Sequence, residues 1–123
     1  MNNLFKYMDE MIKENVNISR LALENNMDRF WTECAEEYKM LSKEIKQDEL
    51  LDAFSLIINE MLLVQMHSFL VAMDGGAWVS EKYRFDIVDK ESNEVLNETI
   101  SLHDMFFDYL WDSRGQDPFR KYK

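Results

Sequence analysis

Two histidines, His67 and His103, and a large surplus of carboxylates are the side chains of this sequence whose types could do chemistry. Imidazole and carboxylate together ligate divalent cations and move protons. His67 follows Glu60 by seven residues, which on a helix puts both on one face two turns apart. His103 is followed directly by Asp104. No Glu-x-x-His pair of the di-iron bundles occurs, and no Cys/His spacing of a zinc site. The candidate metal ligands are therefore His67, His103 and Asp104, and no resident cofactor is expected.

In these three residues and their order, His67 followed by His103-Asp104, the chain resembles the metal-dependent HD phosphohydrolases. The resemblance implies metal-assisted hydrolysis, with Asp108 or Asp112 as the last ligand. It departs from that all-helical pattern between residues 77 and 100, which read as a hairpin. Asp104 also has a second reading, in a capping box opened by Ser101. Nucleophilic chemistry has no equivalent: there is no Gly-x-Ser-x-Gly elbow, and Cys34 falls on an apolar stripe. Gly75-Gly76 lacks the lysine and the strand-to-helix setting of a phosphate loop. General acid–base work needs two placed carboxylates, and with 24 acidic residues it stays open.

A binding surface is the other way such residues act. Trp78 stands on the glycine-bearing segment after Asp74, either as an exposed anchor or folded back over the core. Asp86, Asp89, Glu91, Asp104, Asp108 and Asp112 have little basic company in sequence. Asp104, Asp108 and Asp112 recur every four residues, one stripe of a helix. Like charges at that spacing repel, and a basic partner would offset the repulsion; a plain solvated face is the alternative. The formal net charge is -10, and the end of the chain, with Arg114, Arg120, Lys121 and Lys123, is basic. The body repels nucleic acid and anionic lipid and attracts basic proteins.

These residues need elements to hold them. The 123 residues, 46% apolar with one proline and three glycines, suit one domain of long helices. A single cysteine permits no internal disulfide, and the charged start of the chain is no signal peptide. The apolar stretch from Leu50 to Met73 is broken by Asp52, Ser55, Asn59, Glu60, Gln65, His67 and Ser68, too many for a membrane span. A cytoplasmic protein is expected.

Leu4, Phe5, Met8, Met11 and Ile12 share a helical face, so a first helix is expected over Asn3 to Asn15. Asn15 and Asn17 would break it before a short helical piece. Met27, Phe30, Trp31, Cys34, Tyr38, Leu41 and Ile45 predict a second helix capped by Asn26, with Cys34 buried. A third helix from Asp48 to Met73 is apolar around most of its circumference, which predicts a central helix surrounded by others. Tyr83, Phe85 and Ile87 alternate as a strand, and Glu94 to Asn97 returns as a second. Leu102, Met105, Phe106, Tyr109 and Leu110 form the apolar face of a last helix stopped at Gly115.

The expected fold is a predominantly helical α+β domain over residues 1–123. It has three to four helices, a β-hairpin between the third and the last, and an irregular basic tail over 114–123. The expected function is a non-catalytic acidic protein-binding module, such as an immunity- or antitoxin-like inhibitor of a basic partner. The alternatives are a small metal-dependent hydrolase using His67, His103 and Asp104, and a homo-oligomeric scaffold or regulator built on the third helix.

Overall fold

The computed structural model describes residues 2–24, 32–77 and 81–122. Among them four α-helices run in the order α1 (Asn2–Leu23), α2 (Ala35–Glu44), α3 (Asp48–Met73) and α4 (Leu102–Arg114). A two-stranded hairpin, β1 (Val88–Asp89) and β2 (Glu94–Val95), lies between α3 and α4, and a 3-10 turn (Pro118–Arg120) follows α4. The fold is predominantly helical α+β with one domain.

The core forms where α1, α3 and α4 meet. Phe5, Met8, Ile12 and Val16 recur in steps of three and four on α1 and are buried. They meet Leu63 and Leu70 of α3 and Leu102, Phe106 and Leu110 of α4. Phe5 packs against the Phe106 ring at 5.6 Å between centroids.

Several expected boundaries move. α1 is continuous through the expected break at Asn15 and Asn17. The Asn15 side-chain amide donates to the Met11 carbonyl at 2.9 Å. Val16 is fully buried, and that packing outweighs asparagine's small helix penalty of roughly half a kcal/mol. α1 is then tied to α3 at its far end, where Arg20 Nη1 lies 2.6 Å from Asp52 Oδ1. α2 has ten residues, and Asn26, Met27, Phe30 and Trp31 of the expected second helix lie outside the described residues. Cys34 is exposed, correcting its expected burial, and its backbone N–H donates to Thr32 Oγ1 at 3.0 Å. Met40 and Leu41 also face solvent, because α2 packs on α1 through a different side that buries Ser42.

The third helix has the expected ends but not the expected surroundings. α1, α4 and the 3-10 turn cover one side of it, burying Leu51, Ser55, Asn59, Leu63 and Leu70. Leu50, Ile57, Met61 and Val64 stay in solvent. By length and composition α3 could cross a membrane, and 17% of its most apolar window is buried in the fold.

The hairpin is shorter than the alternation suggests. Val88 pairs with Val95 and Asp89 with Glu94, while Tyr83 and Phe85 precede the ladder and remain exposed. Asn97 holds this segment down. Its side-chain amide donates to the Met73 and Phe85 carbonyls at 2.7 and 2.8 Å, and its Oδ1 accepts from the Ile87 N–H at 2.9 Å.

The basic tail is docked. Gly115 ends α4 at φ +83° and ψ -163°, a positive-φ extended conformation that suits glycine. Pro118 then starts the 3-10 turn, and Phe119 and Tyr122 pack against the core. The Asn59 amide donates to the Phe119 carbonyl at 2.7 Å.

Candidate functional site

The three acids of the expected stripe lie where their spacing puts them. Leu102, Phe106, Leu110 and Arg114 are the buried residues of α4, also four apart. At about 100° per residue the stripe of Asp104, Asp108 and Asp112 falls on the opposite side of the helix. All three are exposed. Among the described residues neither Asp108 nor Asp112 forms an ion pair, and Asp104 has one contact, His103 Nε2 at 3.6 Å.

Two features give the face relief. Trp111 follows Asp108 by three residues and is half exposed beside the stripe. In sequence it falls off the inward face and carries no charge, so neither apolar periodicity nor charge pattern singles it out. The available signal was that same position: a tryptophan on the polar side of an amphipathic helix has no core to fill. On the other flank a groove of about 370 Å³ is lined by Phe5, Met105, Asp108, Tyr109, Asp112 and Ser113. Its floor is apolar and two carboxylates stand at its rim. Burial pushes the Tyr109 phenol above its ordinary value of 10.0, and the charges of Asp9 and Glu10 push the same way.

The hairpin acids are exposed too. Asp89 is partly occupied in shaping its turn, since its Oδ1 accepts from the Glu91 N–H at 2.9 Å. Asp86 and Glu91 extend into solvent. Trp78 lies outside the described residues.

The expected metal ligands come together, but as a structural joint. The His67 and His103 rings meet edge to face at 5.3 Å, bringing α3 beside the start of α4. His103 Nδ1 is engaged by Asp74, which the sequence reading saw as helix-terminating material: Asp74 Oδ2 lies 2.6 Å from the ring and accepts the His103 backbone N–H at 2.9 Å. Asp74 thus satisfies one of the free amides at the α4 N-terminus from across the fold. The expected capping box does not form. Ser101 makes no side-chain capping bond, and its hydroxyl turns to the His103 ring at 3.0 Å instead. Among the described residues no group of three or more His, Cys, Asp or Glu is placed to hold a metal ion. Nor do Ser101, His103 and Asp74 form a hydrolytic triad. Serine and aspartate both approach Nδ1 most closely, whereas a triad needs them on opposite ring nitrogens.

A second cleft, of about 500 Å³, lies between α1, α3 and the docked tail, lined by Lys13, Asp52, Arg114, Arg120, Lys121 and Tyr122 among others. It gathers most of the cations that the sequence showed as a basic tail.

Compared with protein-family models, with curated proteins and with solved structures, the chain matches none.

Proposed function

We propose that this chain is a non-catalytic protein-binding module of the cytoplasm that docks a basic protein on the outer face of α4, in the manner of a small immunity- or antitoxin-like inhibitor. The observation that supports this most is the position of Asp104, Asp108 and Asp112, opposite the buried stripe and beside the half-exposed Trp111. Complementary charge speeds encounter, and an aromatic anchor slows departure. The adjoining groove suits a lysine or arginine of the partner. Its apolar floor takes the aliphatic stem, and Asp108 and Asp112 take the charged head. Asp86, Asp89 and Glu91 of the hairpin extend the negative field. Nucleic acid and anionic membrane are repelled by the same charge.

The test is capture of partners from native cell lysate on wild-type protein and on the triple variant Asp104→Asn, Asp108→Asn, Asp112→Asn, at two salt concentrations. A single basic protein, held by the wild type, weakened by salt and lost by the variant, is the expected result. Equal capture by both proteins would remove α4 from the interface.

A further inference from the structure

α3 has two apolar faces, and the fold uses one. Leu51, Ser55, Asn59, Leu63 and Leu70 point to the core. Leu50, Phe54, Ile57, Met61, Val64 and Val71 recur in steps of four, three, four, three and seven on the far side. At about 100° per residue the two sets lie diametrically opposed. Leu50, Ile57, Met61 and Val64 are 46%, 57%, 62% and 49% exposed.

The spacing of this outer row is a heptad seam. A repeat of 3.5 residues keeps apolar side chains facing one partner helix and lets them insert as knobs into its holes. A lipid surface asks for no such register. The row spans 22 residues from Leu50 to Val71, six turns of helix. The four large exposed side chains hold on the order of 400 Å², within the range of patches that mark interaction sites. With the flanking Ala53, Glu60, Gln65 and Ser68, the face approaches the roughly 800 Å² per partner of a standard interface.

Charge at its ends indicates what covers it. Glu49 stands in the first turn of α3 at the edge of the outer row, whereas Asp48, three residues before Leu51, falls on the core-facing side. At the other end the Arg84 guanidinium reaches over Gly75, with Nη1 3.5 Å from where a Cβ would sit. Two copies laid antiparallel bring the Glu49 end of one toward the Arg84 end of the other, and oppose their helix dipoles. A parallel pair would bring the two Glu49 carboxylates to the same end.

We propose that the protein self-associates as an antiparallel two-fold dimer through the outer face of α3. α4 packs on the opposite side of α3, so its acidic face stays open in the dimer, and the dimer presents two such faces. This inference stands independently of the partner reading above.

Sedimentation equilibrium over a wide concentration range tests it, on wild type and on Ile57→Glu/Met61→Glu. Both positions are solvent-exposed in the monomer, so circular dichroism and unfolding should report an intact fold. The expected result is a wild-type dimer, and a variant whose dissociation constant rises at least tenfold. Orientation is read in a Cys34→Ser background by mixing Leu50→Cys with Val71→Cys. Antiparallel pairing gives the mixed disulfide in excess over either homodimer. A wild type monomeric throughout, or a variant that associates as well as wild type, overturns the dimer. Predominance of the Leu50→Cys homodimer overturns the orientation. Wild type that stays monomeric but sediments with neutral lipid vesicles, while the variant does not, assigns the face to a membrane instead.

Discussion

Arg114 and Asp9, 105 positions apart in the chain, meet as an ion pair whose side chains are 1% and 5% exposed. Arg114 Nε donates to Asp9 Oδ1 at 2.8 Å, and Lys13 Nζ lies 3.2 Å from Oδ2. The same guanidinium donates to Asn59 Oδ1 at 3.0 Å, to the Pro118 carbonyl at 3.1 Å and to the Lys121 carbonyl. One side chain thereby joins α1, α3, α4 and the tail, and fixes the helix that carries the acidic face.

Removing either partner should be costly, because it strands a charge away from water. Arg114→Ala and Asp9→Ala are each expected to lose about 3–5 kcal/mol in urea unfolding. The double variant Asp9→Leu/Arg114→Met should lose less than the sum of the two, since neither charge is then stranded, while Asn59 Oδ1 and the Pro118 and Lys121 carbonyls still lose their donor. Near-additive losses in the double variant would show that the site stabilises through something other than the pair.

Asp74→Ala should destabilise α4 although the two are remote in sequence. It removes the acceptor of both the His103 amide and the His103 ring, at a cost of roughly 1–2 kcal/mol. Ser101→Ala, at the position a capping box would favour, should stay within about half a kcal/mol because that hydroxyl caps nothing. Thermal unfolding of the two variants decides between them. A larger loss for Ser101→Ala would restore the local cap and refute the one supplied by Asp74.

The hairpin depends on one amide. Asn97→Ala leaves the Met73 and Phe85 carbonyls and the Ile87 N–H without their partner. Amide exchange should then rise first at Ile87 and Leu96, whose N–H groups donate to Asn97 Oδ1 and to the Ile87 carbonyl, before the helices respond. Unchanged exchange there would mean the two-residue ladder holds itself, which so short a ribbon is not expected to do.

What could be read in advance followed the periodicity of each segment. α3 ran between its expected ends because its apolar pattern is long and Asp74-Gly75 closes it. The stripe of Asp104, Asp108 and Asp112 was legible because four-residue spacing fixes a helix face regardless of packing. What could not be read were relations across the chain. Asn59 and Ser55 looked like interruptions of an apolar helix, and they mark the side that faces the fold: Asn59 bonds Arg114 and the tail, and Ser55 returns its hydroxyl to the Leu51 carbonyl at 2.8 Å. An apolar circumference predicts burial on every side, but helix content alone does not supply enough neighbours to bury it. Asp74 was legible as a helix terminus, and its second role needed the position of His103. Trp111 was available on the helical wheel and was overlooked for lack of a charge.

Tyr109 gives the acidic face a signature in pH. Burial raises its phenol, Asp9 and Glu10 raise it further, and a hydrogen bond with Ser113 pulls it back in part. Because the folded value lies above the unfolded one, the fold favours the neutral phenol. That contribution is complete below the ordinary value of 10.0 and is lost as pH rises through the folded value. Alkaline titration followed by tyrosine absorbance should show a component above the ordinary value of 10.0 that is absent in Tyr109→Phe. Glu10→Gln should bring that late step to lower pH without disturbing the core, since Glu10 is exposed. Tyr109→Phe should also lose less stability than wild type between neutral and strongly alkaline pH. An absorbance titration unchanged by Tyr109→Phe above the ordinary value of 10.0, or an alkaline stability loss equal in both proteins, would contradict the burial of Tyr109 beside Asp9 and Glu10 of α1.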